Sequence, residues 1–246
     1  MTKSQVNLIK LICIAFIMAV TSSCMNDDNN GTYYSTIGSL EKADGINYLI
    51  ATDSGRKLLI SNSTEVAAEA KAGDRLYVEF TFDSEEPQGY DGKIDIFYLY
   101  KILVKDPVHL TAENSNEIGD DYISVSEIWA TDKYLNFRFQ YFSGGDKTHY
   151  INLVTVDEPK KTEDGYLYVE FRHNANNDVE QYPYNGIVSF NTDKLLSENP
   201  SLKGLIIRTK TYSAGEYFYK LNFEDKADNN TTKMKLGTSM NAGDLK

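Results

Sequence analysis

The chain has 246 residues, 41% of them hydrophobic and 25% charged, with a formal net charge of -11. A surface of that sign repels phosphate backbones and anionic headgroups, which excludes nucleic acid as a partner. Its two cysteines, Cys13 and Cys24, both precede any folded domain, so no disulfide staples the fold and the core must be large enough to stand alone.

Two lysines, Lys3 and Lys10, precede a ten-residue apolar run over 11–20, and Thr21-Ser22-Ser23-Cys24 follows. A spanning helix needs about twenty apolar residues, so the run predicts a cleaved signal over 1–23 instead. The tetrad resembles the lipobox of bacterial lipoproteins, with Thr21 in place of the usual leucine, as is familiar in the Bacteroidetes. That resemblance implies acylation of Cys24, which becomes the first residue of the mature chain and holds it to a membrane. Cleavage there leaves 223 residues at a net charge of -13, from 23 Lys and Arg against 36 Asp and Glu. Residues 24–32 are polar and read as a flexible tether. Within it, Asp27 and Asp28 resemble the surface-export signal of Bacteroidetes lipoproteins, and Met25 stands where an inner-membrane retention aspartate would be. The expected location is the outer membrane, facing the exterior.

The first folded region is expected over 33–106. Ser54-Gly55 turns a hairpin between 46–53 and 56–61, and 65–72 is alanine-rich and helical. From 76 to 82, Leu76, Val78, Phe80 and Phe82 alternate with Tyr77, Glu79 and Thr81, which predicts one packed and one wet face. A long strand over 93–104 is apolar on both faces, as in a curled strand of a small closed barrel. Asp106-Pro107 ends it, and 107–121 reads as a linker, polar from Glu113 to Asp121. Over 122–225, seven or so strands with turn residues between them predict an antiparallel sandwich. Leu135, Phe137, Phe139 and Tyr141 face inward there, opposite Asn136, Arg138 and Gln140. One helical turn is expected over 192–197, and 226–246 is a polar, frayed tail.

Residues 166–178, YLYVEFRHNANND, continuing into YPYNGIVSF at 182–190, resemble the NigD-like lipoproteins of Bacteroidetes, and Gly73-Asp74-Arg75-Leu76-Tyr77-Val78 resembles the family's first-domain strand. The resemblance spans essentially the whole mature chain. It implies an N-terminal OB-like domain, a C-terminal β-sandwich, a lipid anchor and a link to bacteriocin gene clusters. It carries no catalytic residues.

The residues themselves supply no catalytic constellation. His109, His149 and His173 are far apart in sequence, with no second ligand at zinc spacing. There is no phosphate-cradling loop and no G-x-S-x-G elbow, and Gly144-Gly145-Asp146 reads as a turn. The acid pairs Asp120-Asp121 and Glu163-Asp164 read as solvated loop charge. His173 is in register with Phe171, Val169 and Leu167, and is expected to close the rim of the core against a loop backbone group. No metal or cofactor is expected. Eighteen tyrosines, among them Tyr98, Tyr100, Tyr141, Tyr217 and Tyr219, suit half-buried strands. The leading reading is a surface-anchored, non-enzymatic interaction or binding module whose partner the sequence does not name, either a glycan or a protein such as a bacteriocin. A glycan-binding lipoprotein would need an exposed row of aromatics, and a hydrolase would need its acids brought together.

Overall fold

The computed structural model describes residues 32–157, 162, 164–223 and 232–233. Strands β1 (Tyr34–Asp44), β2 (Asn47–Thr52), β3 (Lys57–Ile60), β4 (Arg75–Phe82) and β5 (Gly92–Lys101) close a barrel in the order β1-β2-β3-β5-β4. The first half of β1 pairs with β4 and the second with β2, changing partner at Gly38–Ser39. Glycine is required there, because a Cβ on Gly38 would stand 2.5 Å from the Ala51 carbonyl oxygen. The interior is filled by Leu40, Ile50, Leu58, Leu76, Val78, Phe80, Ile94 and Ile96. The expected hairpin forms, with Leu49 opposite Leu59, and the alanine-rich helix is α1 (Ser63–Glu69), which buries Val66. Phe82, expected inside, is partly exposed because it lies at the barrel's end.

The long strand expected over 93–104 is two strands. β5 stops at Lys101; Ile102 donates its N–H to the Arg75 carbonyl and buries its side chain against Ile37 and Trp129. β6 (Leu103–Lys105) then pairs parallel with a strand of the second domain. Proline at 107 does end a strand, but that strand belongs to the sandwich. Across Asp106-Pro107 the chain changes sheet, since β7 (Val108–His109) pairs in the opposite one. The segment expected as a linker thus holds β7 and α2 (Ser115–Ile118), whose Ile118 is buried.

The remaining elements are β8 (Ser124–Ala130), β9 (Tyr134–Ser143), β10 (Tyr150–Thr155), β11 (Tyr166–Asn174), β12 (Tyr182–Asn191), α3 (Asp193–Ser197), β13 (Gly204–Thr211), β14 (Gly215–Asn222) and β15 (Thr232–Lys233). They form a sheet β14-β13-β11-β10-β7 facing a sheet β15-β8-β9-β12-β6. The sandwich was expected to be antiparallel, but β11–β13, β6–β12 and β7–β10 pair parallel, since the chain visits the other sheet between partners. In the tail expected to fray, β15 pairs with the end of β8. The core is aromatic: Phe137 stacks on Phe171 at 4.1 Å between ring centroids, with Phe190 edge-on at 5.9 Å. The fold is therefore an OB barrel followed by a β-sandwich. Among the described residues no helix is long and apolar enough to cross a membrane.

Candidate functional site

The barrel lies against the outward face of the β8–β9–β12 sheet, and the contact begins with one ion pair. Arg75, the first residue of β4, shares the outward side of that strand with Tyr77 and Glu79, yet it is only 2% exposed. Its guanidinium donates two parallel hydrogen bonds to Asp53, at 2.6 and 2.7 Å, and one to Asn136 Oδ1 at 3.0 Å. Trp129 Nε1 donates to the same carboxylate at 2.7 Å, and Ser189 Oγ donates to Asn136 Oδ1 at 2.6 Å. The guanidinium also lies over the Tyr134 ring at 4.6 Å. Asn136 spends its amide nitrogen on the Trp129 and Tyr134 carbonyls. A buried charge is tolerable only when so completely partnered. Beside this network, Ile37, Ile102 and Trp129 form a small apolar core joined by Tyr77, Tyr100 and Ile187.

From that contact the two faces diverge. Two residues along β4 and β9, Tyr77 and Arg138 line a groove of about 430 Å³, together with Tyr100, Ser126, Asn185, Gly186 and Ile187. Its wall is aromatic because β4 and β5 pair Tyr77 with Tyr100 and Glu79 with Tyr98, all on the barrel's outward side. The Tyr77 ring lies 5.7 Å from Tyr100 and 6.4 Å from Tyr98. A bulge in β5 leaves Phe97 unpaired, and it meets Tyr33 edge-on at 5.3 Å. The floor is polar: Arg138 donates Nε to Glu127 at 3.4 Å, and Gln140 donates to the Asn185 side-chain oxygen at 3.2 Å. Burial pushes the Tyr100 phenol above its ordinary value, while the Arg138 charge pulls the other way.

A second polar cluster closes one end of the sandwich and overturns the expectation of scattered histidines. β10 and β11 pair so that His149, just before β10, meets His173, with Nδ1 of the former 2.7 Å from Nε2 of the latter. His173 is 1% exposed, and its Nδ1 lies 2.9 Å from the Tyr122 carbonyl, the loop backbone partner expected for it. On the far side, His149 Nε2 lies 3.1 Å from Asp178, whose carboxylate also accepts from Ser143 Oγ and the Gly144 N–H. Burial lowers the His173 pKa; the hydrogen bonds from Ser143 and then His149 lower that of Asp178. The group beside Ser143 Oγ is the Asp178 carboxylate, a weak base at its lowered pKa, and the histidine lies on that carboxylate's far side; the group reads as a clasp joining three loops.

The acids considered for hydrolysis are engaged elsewhere. Asp120 takes both terminal nitrogens of Arg208, at 2.7 and 2.8 Å, and Asp121 accepts the Ala175 N–H. Asp164 accepts from Thr162 and Lys220, and Glu163 lies outside the described residues. Exposed His109 lies beside Thr155. Among the described residues no group of three or more His, Cys, Asp or Glu is placed to hold a metal ion. Cys24, Asp27 and Asp28 lie outside the described residues. Sequence reasoning missed the junction, although the wet face carrying Tyr77 and the residues opposite Phe137 were both legible as strand faces.

Residues 37–102 match the NigD-like N-terminal OB domain, and 106–223 match the NigD-like C-terminal beta sandwich domain. Solved structures of the same fold include a protein from Parabacteroides distasonis provisionally named toxin-related, at 27% identity and TM-score 0.62 over 78% of this chain and 93% of that one. A NigD-like immunity protein from Bacteroides caccae matches at 18% identity and TM-score 0.56 over 88% and 100%. A provisionally named lipoprotein from Bacteroides fragilis matches at 12% identity and TM-score 0.62 over 78% and 98%. No curated protein matches the chain.

Proposed function

The chain belongs to the NigD-like family, and on that premise we propose that it is a non-enzymatic binding protein held to the outer membrane by lipid on Cys24. Asp27 and Asp28 direct it to the cell's exterior, and the barrel–sandwich junction presents the binding surface. The observation that carries this reading is the junction itself: a saturated ion pair fixes the barrel on the sheet and leaves an aromatic-walled groove open beside it. Pre-positioned walls lower the ordering cost of binding. Proteins of this fold carry the names toxin-related, immunity protein and lipoprotein, none of which names a reaction. The test is recovery of the anchored protein from outer membranes with its neighbours, comparing wild type with Tyr98→Ala/Asn185→Ala. Selective loss of co-purifying material from the variant is expected. Identical recoveries, or turnover in a broad substrate screen, would overturn the proposal. The anchor is tested separately: Cys24→Ala should abolish fatty-acid labelling, and protease added to intact cells should remove the wild-type protein. Full labelling of the variant, or full protection of the wild type until lysis, would refute anchor or orientation respectively.

A further inference from the structure

We infer that the ligand of this groove is a neutral carbohydrate chain; the inference rests on the proposed binding role of the junction and names the class of ligand. The wall and the floor make complementary demands that a sugar meets. Tyr100 and Tyr77 line the groove, and Tyr98, then Phe97 with Tyr33, extend the aromatic row beyond it on the barrel's outward side. Tyr98 and Phe97 are each more than half exposed. Aromatic faces carry partial negative charge and so attract the weakly positive C–H face of a pyranose ring. Contacting rings in the row lie 5.3 to 6.4 Å apart and are inclined by 37° to 77° to one another, so they offer separate aromatic contacts rather than one flat platform.

The floor supplies planar polar groups suited to adjacent hydroxyls. Asn185 uses only its side-chain oxygen, toward Gln140, leaving both amide N–H donors open. Arg138, a lining residue, bonds Glu127 through Nε alone among the described residues, so its two terminal nitrogens are not spent there. Because Arg138 is paired with a carboxylate, the floor offers donors without the net positive field an anion would need. Open donors, open aromatic faces and compensated charge together fit a polyhydroxylated, uncharged ligand.

The test uses the mature lipoprotein purified from membranes in detergent, applied to an array of mucin-type glycans and titrated with cello-, malto- and xylohexaose. Binding of at least one neutral glycan is expected. Tyr98→Ala and Asn185→Ala should each weaken it by roughly tenfold, Tyr98→Phe should preserve it, and Tyr182→Ala, an exposed tyrosine outside the groove, should leave it unchanged. Unaltered melting temperatures establish that the variants are folded. Absence of glycan binding, with a membrane protein still recovered by wild type and lost from Tyr98→Ala/Asn185→Ala, would overturn the carbohydrate assignment while sustaining the groove. Absence of both would overturn the groove as well. Glycan binding that survives both alanine variants would place the sugar elsewhere and also refute the inference.

Discussion

Asn136 and Gln140 sit four residues apart on the outward side of β9, and they differ in every property that separates structure from function. Asn136 is fully buried under the barrel, with its oxygen accepting from Arg75 and Ser189 and its nitrogen given to two carbonyls. Gln140 makes one side-chain hydrogen bond, to Asn185, at the edge of the open groove. The barrel-side residues show the same gradient from Arg75, buried and saturated, through half-buried Tyr77 to exposed Tyr98. One end of the junction spends its polar groups on holding two domains together; the other leaves them for something else. Stability should therefore concentrate at the first end and binding at the second.

The largest expected effect comes from breaking the saturated end. Arg75→Ala leaves the largely covered Asp53 carboxylate without its cation, and losing one partner of a buried pair costs up to about 3 to 5 kcal/mol. Urea unfolding should show that loss, whereas Arg138→Ala, a partly exposed groove residue, should stay within about 0.5 kcal/mol of wild type. Equal effects of the two substitutions would erase the distinction.

The histidine clasp sharpens the comparison, because it is also saturated but lies away from the junction. His173→Ala should lower stability by about 1 to 3 kcal/mol through lost packing and an orphaned partner, without weakening ligand binding at the groove. Its pH dependence follows from the two lowered pKa values. The unfolded chain protonates His173 more readily than the folded one, so this contribution is present above about pH 6.5 and is lost as pH falls below it. The Asp178 contribution is present above about pH 3.9 and lost as pH falls further. Unfolding midpoints should decline as pH falls across this range, with His173→Ala removing part of the upper decline and Asp178→Asn reducing the lower one, which other carboxylates of lowered pKa such as Asp120 share. A pH-independent midpoint would refute the clasp's protonation pattern.

The smallest effect concerns Thr209, whose hydroxyl is buried with no hydrogen-bond partner among the described residues. Thr209→Val removes an unpaid desolvation and should raise stability by about 1 kcal/mol while leaving groove binding unchanged. Calorimetry showing destabilisation would mean that the hydroxyl has a partner after all.

The strand faces were legible because alternation is local. Leu76, Val78 and Phe80 against Tyr77 and Glu79, and Phe137 against Asn136 and Arg138, read as one packed and one outward side, and those are the sides observed. What faces the outward side was not legible. Asn136 and Arg138 look equally wet in sequence, and only the docking of the barrel buries the first. The meeting of His149 with His173 depends on the register of β10 against β11, which spacing does not encode. Likewise Ile102 looks like one more strand residue, although its backbone leaves the ladder to let the chain pass from barrel to sandwich. The buried position of His173 was readable because it continues the Leu167, Val169, Phe171 series.

Amide hydrogen exchange on the protein, with and without the partner material recovered from outer membranes, tests the division of the junction most directly. The account predicts added protection over 97–100, 138–140 and 185–187, with 150–151 and 179–182 at the clasp end unchanged. Protection confined to the clasp end, with the groove strands exchanging as before, would contradict it.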